Sequence, residues 1–339
     1  MLKMKKILPL LICIIFIFSC GNHDNEKTIF ILDLSNESLL KSSPLEGVDD
    51  ESDSLINLSS TILKSRLDRY IYENKSSYFG GNLPNLNRGE VSNQIIIDFP
   101  LAFTDLEIAR IKDLIECKGK IEFWETYNFS EIYDDFLNAF ESSPEFSSLI
   151  SKGFFIPNIT SEGTISESPV IGDIHVEAKD LFDSLINEDY FLNLWDKDLY
   201  LAYGAKNHNS MGEDFHPVLA LKMNGIEGYR LDGSVISYAS VTRSEYDPSQ
   251  IVINLEMLAP GKNGERKWFD ITEDNVGRSV AVVLDGEVKT FPNINEPISG
   301  GRSQISGVFS LQEARDIANV LSLGELPLDV KVSDYIIKK

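Results

Sequence analysis

Cations are scarce in this chain: 31 Lys and Arg stand against 53 Asp and Glu in 339 residues, a formal charge of −22. A nucleic-acid groove needs clustered cations, so that partner class is excluded. Cysteine is scarcer still. Cys13, Cys20 and Cys117 are too few for a disulfide framework and wrongly spaced for a structural zinc site. Long apolar runs are missing after the N-terminus, where the strongest, Ile95 to Phe103, is broken by Asp98 and Pro100. Composition is otherwise that of a folded protein, with 42% apolar and 10% aromatic residues, enough to build a core.

Reaction-bearing patterns are missing too. There is no GxGxxG, Walker or GxSxG signature, and Ser303 beside Gly301 and Arg302 lacks the second glycine of an elbow. Gly300, Gly301 and Arg302 read as a tight turn joining strands rather than an anion nest. His23, His175, His208 and His216 form no HExxH pair, and Asp49, Asp50, Glu51 and Asp53 read as a solvated acidic loop rather than a calcium site. Trp124, Trp195 and Trp268 are core or interface anchors. No catalytic residue, metal site or cofactor is implied, and the expectation is a protein that is not an enzyme. Cys117, on the apolar side of an expected helix, is read as packing rather than as a nucleophile.

What is present begins with an address. Lys3, Lys5 and Lys6 precede an apolar run from Ile7 to Phe18, then Ser19 and Cys20, and polar residues follow at once. The run is shorter than the roughly 20 residues of a bilayer span, so residues 1–19 read as a secretory signal. Ser19–Cys20 resembles a bacterial lipobox, which implies cleavage before Cys20, lipidation of its thiol and a tether over 20–27. Cleavage removes three lysines and no acids, taking the charge from −22 to −25. Anionic lipid repels such a surface, so attachment rests on acyl chains. The expected location is the bacterial cell envelope, facing the periplasm.

Thr28 to Leu34 reads as a strand. Leu55, Leu58, Ile62, Leu63, Leu67, Tyr70 and Ile71 recur at helical spacing as a core face, and Asn82 to Arg88 reads as a loop. Gln94 to Phe99 reads as a strand, Thr104 with Glu107 as a capping box opening a helix to Glu116, and Lys120 to Tyr127 as the next strand. Strands separated by two helices predict an α+β fold with a ferredoxin-like split βαβ base over 28–140. A helix at Phe129 to Phe140 precedes 141–173, which is rich in Ser, Gly and Pro and reads as a linker or long loop.

Beyond it, a helix is expected at Lys179 to Ile186. Strands are expected at Leu199 to Tyr203, Val218 to Met223, Val235 to Val241 and Ile251 to Leu258. Asp285 and Gly286, between Val280–Leu284 and Glu287–Phe291, predict a two-residue hairpin turn. Ser310 with Glu313 caps a helix striped by Leu311, Ala314, Ile317, Ala318 and Leu321, which Gly324 and Pro327 end.

The stretch NVGRSVAVVLDGEVKTFPNINEPISGGRSQISGVFSLQEARDIANVLSLGELPL, from Asn275 to Leu328, resembles the end of the first periplasmic domain of SecD or SecDF, the bacterial protein-export subunit. ILKSRLDRY, QIIIDFP and GKIEFWETY, between Ile62 and Tyr127, resemble the family more distantly. The resemblance implies a base plus an inserted or appended strand-rich α+β head over 174–322, with 323–339 returning to the base. It also implies a structural motif made of Asp285, Gly286, Pro297, Gly300, Gly301, Arg302, Gly307, Gly324 and Pro327. The family's LDLQGG is replaced here by Leu32, Asp33, Leu34, Ser35, Asn36 and Glu37. The family continues past GELPL into a transmembrane bundle, whereas this chain ends at Lys339, so motor activity is not expected to transfer. What the resemblance leaves is handling of unfolded secretory polypeptides or contact with Sec translocase subunits. The other open reading is an interaction scaffold unrelated to export.

Overall fold

A computed structural model describes residues 27–35, 50–74, 83–91, 93–159, 162–188, 191, 198–208, 212–224, 228–245, 247–306 and 310–338. The signal, Cys20, His23, Trp195 and Gly307 lie outside the described residues. The described part is α+β, with three sheets.

The first sheet is the base. Strand β1 (Lys27–Ser35) alternates buried and open side chains and leads to helix α1 (Asp50–Asn74). Edge strand β2 (Asn85–Arg88), central β3 (Gln94–Phe99) and helix α2 (Asp105–Glu116) follow. The closing strand comes from the far end of the sequence: β16 (Asp329–Lys338) pairs antiparallel with β1, giving the order β16-β1-β3-β2. Taken in chain order this is the split βαβ arrangement. Phe30, Leu32, Leu34, Ile95, Ile97 and Phe99 meet Leu63, Leu67, Ile111 and Ile115 of the two helices in one apolar core.

Several expectations are corrected here. The strand read at Lys120 to Tyr127, β4 (Ile121–Glu125), does not join the base but lies in the second sheet; all five of its side chains are buried, so it needs cover on both faces. Asn82 to Arg88 is not all loop, since Asn85–Arg88 is an edge strand, where asparagines tolerate the open side. Asp50, Glu51 and Asp53 belong to the start of α1 rather than to an acidic loop, and Asp49 lies outside the described residues. On α1, Leu58 is 51% exposed, while Ser59 and Arg66 occupy the buried face.

The second sheet is mixed and nine-stranded. Beside β4 it contains β5 (Phe155–Pro157), β6 (Val170–His175), β7 (Leu199–Gly204), β8 (Asn207–His208), β9 (Asp214–Lys222), β10 (Leu231–Asp232), β13 (Val280–Leu284) and β14 (Glu287–Thr290). Helices α3 (Phe129–Ser142), α4 (Pro144–Ser151) and α5 (Lys179–Ile186) supply an aromatic core against it. Residues 141–173 are therefore not a linker. Phe146 and Phe155 are buried there, Phe146 meets Phe136, Phe155, Phe182 and Phe191, and Phe155 stacks on Phe182 at 5.4 Å. Each such pair contributes about 0.5–1.5 kcal/mol beyond its burial, which holds a segment that periodicity alone leaves unassigned.

The third sheet is β11 (Tyr238–Arg243), β12 (Ile251–Glu256) and β15 (Arg302–Ser306), in that order. Val235 lies in a short 3-10 turn, so this first strand starts three residues later than its apolar pattern suggests. Helices α6 (Gly264–Asp274) and α7 (Leu311–Leu323) pack with it. Leu311 is 44% exposed, whereas Ala314, Ala318 and Leu321 are buried as their spacing predicts. No helix of the described residues is long and apolar enough to cross a membrane.

Candidate functional site

Two places gather the motif residues. The first is the junction where the chain leaves the base after α2 and returns after α7. Arg66, on the buried face of α1, has no exposed surface. Its Nη1 donates to the carbonyl of Cys117 at 2.5 Å, and Nη2 donates to those of Lys118 at 3.1 Å and Gly324 at 2.6 Å. Cys117 and Gly324 are the C-caps of α2 and α7, so the guanidinium serves carbonyls at two negative helix ends. Burial lowers the Arg66 pKa, opposed by the nearby Cys117 and Asp285.

Asp285 and Gly286 complete the junction from the head side. Their φ angles of 51° and 82° are those a two-residue hairpin turn demands. The Asp285 carboxylate accepts from Gly119 N at 3.1 Å and Lys120 N at 2.8 Å, and its own N–H donates to the Lys120 carbonyl at 2.9 Å. The Cys117 thiol donates to Asp285 at 3.2 Å. Burial first, and that carboxylate second, push the thiol up to about 12, so it stays neutral and unreactive near pH 7. Gly119 has φ 80°, and a Cβ there would stand 2.4 Å from Val320 Cγ1 and 2.7 Å from Arg66 Nη2. Pro327 is half-buried between Leu326 and Leu328, both with no exposed surface, on the return to the base.

The second place is a cleft of about 680 Å³ in the head. Its floor is Phe123, Ile305 and Trp268, the last packed edge-on against Phe123 at 5.1 Å. Its roof is the loop from Pro292 to Ile298, held by Ile294 N donating to Arg278 O at 2.8 Å and Ile298 N donating to Thr272 Oγ1 at 2.9 Å. Pro297 is exposed on that roof. Gly300 and Gly301 then turn the chain at φ 80° and 62° into β15. A Cβ on Gly301 would also press on Leu258 Cδ2 at 3.0 Å and Glu265 Cβ at 3.2 Å. Arg302 is mostly exposed and pairs with Glu256 at 3.3 Å.

Two features of the cleft suit an extended chain. Among the described residues β15 is an end strand, so its outer edge has no backbone partner, whereas Ser322 of α7 covers the opposite edge by bonding Ala239 N and O. Trp268 is 2% exposed and its indole N–H has no acceptor. Such a buried, unpaired donor is a local cost to the fold. Asn254, Gln304, Asn293 and Asn295 place polar groups around this apolar floor. The arrangement sets a strand edge and amide side chains beside an apolar floor.

Arg66 is a residue that the sequence did not nominate, and Trp268 was read there only as a core or interface anchor. For Arg66 the signal was present as a cation within the apolar stripe of α1. Trp268 carried none beyond its residue type.

Residues 223–328 match the family model described as the SecDF P1 head subdomain. The protein translocase subunit SecD of Magnetococcus marinus is 35% identical over 130 residues, covering 38% of this chain and 23% of that protein. The SecD of Borreliella burgdorferi is 25% identical over 276 residues, covering 80% of this chain and 37% of that protein. The chain thus spans about a quarter to a third of the length of these relatives. A crystal structure of SecDF in a super-membrane-facing form covers 93% of this chain and 31% of its own, with a TM-score of 0.51 at 18% identity, a likeness of fold. The chain therefore resembles SecD in residues 223–328, which match the head subdomain, and SecDF in its mixed α+β fold.

Proposed function

We propose that this chain is a non-enzymatic, lipid-anchored SecD-like envelope protein whose head cleft takes up extended polypeptide, assisting or modulating protein export or folding. The observation carrying this reading is the edge of β15, which among the described residues pairs with no further strand, beside the apolar floor of the cleft. A strand added to that edge gains main-chain hydrogen bonds with little sequence selectivity, and an apolar floor accepts one side chain in two. Cys20 carries the lipid in this reading, and Sec translocase subunits are the natural neighbours of such a domain.

The test is in-cell photocrosslinking from Gln304 on the cleft rim, with mass spectrometry of what is captured. Diverse secretory chains or translocase subunits are expected. Capture of one unrelated envelope protein would favour the scaffold reading, and a purified protein with no affinity for unfolded secretory polypeptides would end the polypeptide reading. Cys20→Ala should release the protein from membranes or block signal processing; unchanged lipid labelling would refute the anchor.

A further inference from the structure

We infer that the head cleft selects extended segments that alternate apolar and polar residues, the period of transmembrane β-strands, over apolar runs and amphipathic helices. This rests on the polypeptide reading above and names its substrate class.

The selection follows from the register of β15. Met257 N donates to the Gly301 carbonyl at 2.6 Å, and continuing the register of β12 with β15 makes these two residues direct partners. In an antiparallel ladder, hydrogen-bonded and non-hydrogen-bonded pairs alternate. Ser303 and Ile305 therefore turn their backbone groups inward to Leu255 and Ile253, whereas Arg302, Gln304 and Ser306 turn theirs to the outer edge. The covered edge of β11 keeps the same parity: Ala239, opposite Leu255, has the outward backbone groups that Ser322 bonds.

Side chains alternate in step. Ile305 is 4% exposed, in register with Ile253, and belongs to the apolar cluster of Phe123 and Trp268. On the other face Gln304 donates to Asn254 Oδ1 at 2.8 Å, Asn254 donates to Thr242 Oγ1 at 2.9 Å, and Arg302 pairs with Glu256. That face is a polar ladder across all three strands. A segment laid along β15 inherits both faces, because side chains of paired strands share a face. Residues beside Ser303 and Ile305 enter the apolar floor, and residues beside Arg302 and Gln304 extend the polar ladder. An apolar run sets every second side chain against that ladder, in water. A helix, with its backbone bonded internally, cannot pair with the edge.

The experiment measures fluorescence anisotropy of dye-labelled peptides with the chain from residue 21 onward. Three peptides share one composition of valine and serine: one alternating, one with the valines in a block, one with them at helical spacing. The alternating peptide is expected to bind about tenfold tighter than either, the worth of one side chain moved from water to the floor. Equal affinities overturn the selection and leave polypeptide uptake standing, whereas no binding by any of the three ends both. N-methylation of one alternate set of residues in the alternating peptide should abolish binding and that of the other set should spare it, because an edge strand is paired through every second residue. Equal losses from the two sets overturn the inference. Gln304→Pro removes one outward N–H and spares the pairing with β12; it should weaken the alternating peptide about fivefold with circular dichroism unchanged. Parent-like affinity in that variant means that the segment binds elsewhere, which overturns the inference too.

Discussion

Arg66 and Cys117 show how burial changes what a side chain does. A guanidinium without exposed surface costs several kcal/mol in lost hydration, and it persists because backbone carbonyls take up its Nη donors. The neighbouring thiol is held neutral, its pKa raised from 9.0 to about 12 by burial and by Asp285. Because the folded value lies above the unfolded one, the folded state binds more protons between pH 9 and about 12. Its contribution to stability is complete below pH 9 and lost as pH rises through about 12. Urea denaturation of the protein and of Cys117→Ala should therefore show stabilities that converge as pH rises across this window. Parallel curves would mean that the thiol is not held neutral. Alkylation of the native thiol at pH 8 should likewise be slow, and fast once urea unfolds the chain.

Among the elements, α1 separates pattern from packing most clearly. Leu58 and Leu63 both fall in the apolar stripe, yet Leu58 is 51% exposed and Leu63 has no exposed surface. Leu63→Ala should cost about 2–5 kcal/mol, whereas Leu58→Glu should stay within about 0.5 kcal/mol; equal losses in chemical denaturation would overturn this assignment of the helix face. The strands β1 and β3, the Thr104 cap with its reciprocal Glu107 bond and the Asp285–Gly286 turn were legible because each rests on interactions a few residues apart. Residues 141–173 were not legible. Their Phe146 and Phe155 acquire meaning only beside Phe136, Phe182 and Phe191, which other segments deliver.

For the whole molecule, the junction is the decisive feature. Arg66 bonds both crossings between base and head, so its loss should loosen the two from each other as well as lower stability. Arg66→Met leaves three carbonyls, those of half-buried Cys117 and Lys118 and of Gly324, without their donor and should cost about 1–3 kcal/mol for each one that water does not reach. Arg66→Lys, a point charge in place of a planar fork, should rescue little of it. Hydrogen exchange should quicken at Gly119, Lys120 and Leu326 in both variants, while the core of α5 stays protected. A stability loss without that local pattern would mean that Arg66 does not couple the two parts.

The sequence by itself determined the α+β class, most strands and helices, the turn glycines and the family resemblance of the C-terminal third, because periodicity, capping and turn chemistry are local. Only the tertiary structure decided that β4 leaves the base, that β16 closes it across 302 residues from Ile31 to Ser333, and that Arg66 meets Gly324. Closing a longer loop costs little more than closing a shorter one, so separation along the chain does not identify a strand's partner. That choice is made by which faces can be buried together, and burial is a property of the assembled core.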